Sequence, residues 1–150
     1  MLVQYVHKEL QISSVFINQK EGVMDTSSEY ITMCEKATEI MNNWHYEFGD
    51  FYVSLVAGMP SEAQTIVSDL ELHSSYMHQI KAVWLPKQDQ LQAFILDQYA
   101  TPWDLVIEFA NTLISDKASY FDKFPSMEQI WTAYIMDKKF NKKWSGKDWL

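Results

Sequence analysis

A chain of 150 residues with 47% apolar and 15% aromatic content can bury a core of its own and is too apolar to be disordered. Its net charge of −8 includes twelve lysines and no arginine. The bidentate forks that read guanine edges and clamp phosphates are therefore missing, and direct nucleic-acid binding is not expected. The apolar runs are too short to span a bilayer, and the single cysteine, Cys34, excludes an internal disulfide, so a cytoplasmic, membrane-free protein is expected.

Residues 1–23 carry no periodic pattern beyond a short β-like run, Val15-Phe16-Ile17. The opening stretch also lacks the basic and apolar regions of a signal peptide. Lys20-Glu21-Gly22 can be encoded by a ribosome-binding sequence, and it stands just ahead of Met24. Two readings of 1–23 stand side by side: a translated leader before a start at Met24, or an N-terminal strand. Residues 24–150 read as one globular domain.

From Met24 onward the pattern is regular. Thr26 and Glu29 have the spacing of a capping box, and Tyr30, Met33, Cys34, Ala37, Ile40, Met41 and Trp44 follow at helical intervals. One amphipathic helix is expected over 27–43, with Cys34 as a small core residue. Phe51–Val56 is rich in β-branched and aromatic residues and predicts a strand. Gly58-Met59-Pro60 predicts a turn, with a helical turn an option near 61–64. Residues 65–72 alternate in part, and 76–84 place Ile80, Ala82 and Trp84 on one face, which completes a small antiparallel meander.

The remainder reads as helical. Val83-Trp84-Leu85-Pro86 leads into a helix carrying Leu91, Phe94, Ile95 and Tyr99. Thr101-Pro102-Trp103-Asp104 marks the next start, with Thr101 as cap and Pro102 in the first helical position. The apolar stripe there is Trp103, Val106, Ile107, Ala110, Leu113 and Ile114. A last helix opens at Ser126, with Gln129 three residues on, and carries Met127, Ile130, Trp131, Tyr134 and Ile135 along one face. Lysines 138, 139, 142 and 143 gather at its negative pole. The expected fold is α+β: a small antiparallel sheet of about three strands covered by about four helices.

No phosphate-cradling glycine loop, nucleophile elbow or clustered metal-ligand set is present in the sequence. His73 and His78 stand five apart without cysteine partners, so no metal or cofactor is expected. Glu35, Glu39, Asp69 and Glu71 fall where solvated faces are expected. The aromatic residues carry the remaining signal. Trp44, Trp84, Trp103 and Trp131 sit on apolar stripes or at element junctions and read as core. Trp144 and Trp149 lie in a lysine-rich tail, where they either fold back onto the core or stand out as an anchor for a partner protein. Trp84, Gln88 and Gln90 form a second candidate partner site at a helix entry; the alternative has Trp84 and Leu85 stapling the helix to the core, with the glutamines solvated.

Three blocks in order, Glu29–Ala37, Val83–Gln92 and Ser126–Trp131 with the Trp144–Trp149 ending, resemble a family of small uncharacterised proteins of phages and prophages of low-GC Gram-positive bacteria. The blocks span most of 24–150 and none of 1–23. The resemblance implies a phage or prophage accessory protein and brings no catalytic residue with it. The expectation is a non-enzymatic protein that binds a host or phage protein. The acidic balance of residues 1–80 raises a second reading, an acidic decoy for a nucleic-acid-binding protein. A small enzyme whose site assembles only in space is the third.

Overall fold

The computed structural model describes residues 24–56 and 58–150; the run at Val15–Ile17 and the leader question lie outside them. Helix α1 spans Ser28–Lys36 and α2 spans Thr38–Met41. The single helix expected over 27–43 is thus two. The break falls at Ala37, which is fully buried with ψ 59° and sends its N–H to the carbonyls of Met33 and Cys34. Hydrophobic spacing runs unbroken through such a kink because both pieces face the same core. The cap is also one residue later than Thr26: the Ser27 hydroxyl accepts from Tyr30 N–H at 3.2 Å.

Strand β1, Phe51–Val56, is the centre of the sheet, as its composition predicts. One edge pairs antiparallel with β4, Ala82–Leu85, in the register Phe51↔Leu85 and Val53↔Val83. The other edge pairs first with β2, Met59–Pro60, and then with β3, Gln64–Thr65. Gly58, at φ +76°, makes the turn, so Met59 and Pro60 already lie in the returning strand and 61–64 holds no helical turn. Val53, Val83 and Leu85 pack against Tyr30, Ile31 and Cys34 of α1, while Tyr52, Ile66 and Met77 fill the opposite face.

Two expected strands are shorter than their patterns suggest. Beyond Thr65 the chain turns, because the Glu71 carboxylate captures the N–H groups of Val67 and Ser68 at 3.0 and 2.8 Å and removes them from any ladder. Residues 76–84 divide between helix α3, Ser74–Gln79, and β4, with Lys81 at φ 48° between them. Three short side-chain repeats fit either element, and here both are used.

Helix α4 is Gln88–Ile95, followed by a 3₁₀ turn at Leu96–Gln98; α5 is Pro102–Ile114, α6 Ala118–Phe121 and α7 Met127–Phe140. The α5 start is as read: the Thr101 hydroxyl accepts from Asp104 N–H at 3.2 Å. Helix α7 is the axis of the domain. Its expected stripe is buried apart from the half-buried Met127, but so are Glu128, Gln129, Thr132, Ala133, Met136 and Asp137, so from Glu128 to Asp137 it is enclosed on every side. Ser126 caps it from 3.2 Å, yet Gln129 does not return the second bond of a capping box. The Gln129 amide instead donates to Asp25 at 2.9 Å, and Ser126 also donates to Asp25, tying the start of α7 to the start of α1. Asn141 at φ 53° ends α7 in the left-handed conformation common after a helix.

Candidate functional site

The sequence points first to Trp144 and Trp149, and both are interior. After α7 the chain turns at Gly146, φ +96°, and closes a hairpin in which Lys143 and Leu150 exchange both backbone bonds, at 2.8 and 3.0 Å. Trp144 and Trp149 oppose each other across it with ring centroids 5.0 Å apart, and they are 2% and 7% exposed. The Trp149 indole N–H donates to the Met33 carbonyl at 3.0 Å, and Trp144 Nε1 reaches Glu29 at 3.3 Å. The folded-back alternative is the one observed, and neither ring is free to anchor a partner. Burial wins because each ring carries far more apolar area than the tail's lysines can shield.

The second candidate set also has a structural role. Trp84 is buried and stacks on the half-buried Trp44 with centroids 3.6 Å apart. Gln90 is half-buried and its amide is engaged at both ends: its carbonyl accepts from Lys87 N–H at 2.9 Å, and its NH₂ donates to the buried carboxylate of Asp50 at 2.5 Å. Asp50 also accepts from the Trp44 indole at 2.9 Å and Glu47 N–H at 2.8 Å. Gln88, at the first helical position, is half-exposed. An open cleft of about 510 Å³ lies here, with Trp44, Phe48, Asp50, Lys87, Gln90 and Phe94 among its lining. Its deepest polar groups bond to one another, and the Lys87 ammonium reaches the Gly49 carbonyl at 3.3 Å.

No protein-family model, curated protein or solved structure matches the chain. Among the described residues, no group of three or more His, Cys, Asp or Glu is placed to hold a metal ion. His73 stands at the start of α3 without a side-chain bond to it, and His78 lies in its last turn; both are exposed. Among the described residues, no helix is long and apolar enough to cross a membrane.

The surface that stands out is one read from the sequence as core. On α5 the buried residues are Leu105, Phe109 and Thr112. Trp103 is 75% exposed, Ile107 56%, Ile114 51% and Val106 45%, with exposed Ala110 among them. Both sides of this helix are apolar, and periodicity alone favours the longer stripe. The core took the other side because Phe109 stacks on Trp131 with centroids 3.7 Å apart and 5° between planes. Phe109 also meets the edge of Tyr134, and Tyr134 shares a 2.8 Å hydroxyl contact with Tyr99. What remains outside is a stripe at intervals of three and four residues, about 100° wide. Several exposed apolar residues on one helix face, a tryptophan among them, stand apart from the scattered single apolar residues of an ordinary surface.

Proposed function

We propose that the protein is a non-enzymatic binding module of phage or prophage origin that engages a host or phage protein through the outward face of α5. The observation that carries this reading is the exposure of Trp103 together with Val106, Ile107 and Ile114 on one helix face. A face of this kind is costly to leave in water, and docking a partner removes it from water. The resemblance of the Glu29–Ala37, Val83–Gln92 and Ser126–Trp131 blocks to phage and prophage proteins supports the biological setting.

The test is affinity capture from the lysate of a low-GC Gram-positive host, comparing the intact chain with a Trp103→Ala/Ile107→Ala variant. The expected result is a partner retained at high salt by the intact chain and lost with the double variant. A partner that ignores the double variant and elutes with salt would instead favour the acidic decoy.

A further inference from the structure

The charges beside the α5 stripe select its occupant. Asp104, in the first turn, and Asp116, two residues past the last, are exposed and belong to no ion pair among the described residues. Asp104 accepts only local bonds from its own cap. The nearby cations are committed elsewhere: Lys117 pairs with Asp137 at 2.7 Å, and Lys138 pairs with Glu108. Among the described residues, the unpaired charges at the two ends of the stripe, Asp104 and Asp116, are therefore negative.

We infer that this face receives an amphipathic helix whose apolar stripe is flanked by lysine or arginine, an inference that rests on the protein-binding reading above. The stripe supplies the i, i+3, i+4, i+7 spacing that helix-to-helix docking uses. From Trp103 to Ile114 it runs about 16 Å, so it matches roughly three turns of a partner helix. Acidic ends attract a basic-flanked helix and repel an anionic lipid surface.

The intact protein, titrated with two synthetic 18-residue helices sharing one leucine stripe, provides the test. One helix carries flanking lysines and the other flanking glutamates. The lysine helix is expected to bind at least about tenfold more tightly at low salt. Trp103→Ala/Ile107→Ala should abolish that binding, and Asp104→Asn/Asp116→Asn should weaken it roughly three- to tenfold, with circular dichroism unchanged in both variants. Equal binding of the two helices, or lysine-helix binding that survives Trp103→Ala/Ile107→Ala, overturns the inference. So does binding to phosphatidylcholine–phosphatidylglycerol vesicles, or concentration-dependent dimerisation, that the same double variant removes. Failure of both helices while host-protein capture still depends on Trp103 and Ile107 overturns the helix assignment alone. Failure of capture as well removes the protein-binding reading with it.

Discussion

Phe109 lies flat on Trp131, with ring planes 5° apart, and that stack decides which side of α5 meets water. The helix could have buried either of two apolar sides. Turning Phe109 inward onto α7 leaves Trp103, Val106, Ile107 and Ile114 outside, and the proposed interaction surface follows from that choice.

The two faces of α5 should separate in a mutational experiment. Phe109→Ala is expected to cost roughly 3–5 kcal/mol of folding stability by urea denaturation, since it opens a cavity against Trp131. Trp103→Ala is expected to shift stability by no more than about 0.5 kcal/mol, because its ring touches mostly solvent. A large loss of stability from Trp103→Ala would show that the exposed face packs on something within the domain.

The tail tryptophans should behave as core. Trp149→Ala removes a buried ring and leaves the Met33 carbonyl without its indole donor, so a loss of roughly 3–5 kcal/mol is expected. Intrinsic fluorescence should show blue-shifted emission from a Trp144→Phe/Trp149→Phe difference spectrum. A red-shifted difference would mean that the rings are wet.

Asp50 holds three donors from three points: the Trp44 indole, Glu47 N–H and the Gln90 amide. Asp50→Ala leaves all three short of a partner and should cost about 3 kcal/mol or more by the same denaturation measurement. Gln90→Ala removes one donor and should cost less. Equal costs would mean that Gln90 is the true organiser of the cleft.

Glu71 provides the pH signature. Bonds from the Ser68 hydroxyl, then the Val67 and Ser68 amides and the Tyr52 hydroxyl, hold its carboxyl down to about 2, against an ordinary value of 4.5. The folded state thus favours the charged form. Its contribution is complete above pH 4.5 and fades as pH falls toward 2. Glu71→Gln should destabilise the protein by about 1 kcal/mol at pH 7, a modest figure because the group is partly solvated. The gap from the parent should close between pH 4.5 and 2 in a series of urea titrations. A constant gap over that range would remove the assignment.

Cys34 is fully buried, and burial pushes its thiol well above the ordinary range. A thiol reagent should therefore label the native protein no faster than the region around α1 opens, and denaturant should release rapid reaction. Prompt labelling of the native chain would place Cys34 at the surface.

Local signals survived intact where a single segment contains all the chemistry: the Thr101-Pro102 start of α5, the Ser126 cap and the β1 strand are legible because cap and propensity act over a few neighbours. The α+β class was legible for the same reason. What the sequence could not rank was competition between distant partners. The role of Gln90 depends on Asp50, forty positions earlier, and the missing half of the α7 capping box depends on Asp25, which draws Gln129 away. The candidate surface was read as core because α5 is apolar on two sides, and periodicity reports how wide a stripe is, not which stripe a neighbour will cover. Only the packed structure supplies Trp131 opposite Phe109, and that one contact turns a predicted core stripe outward.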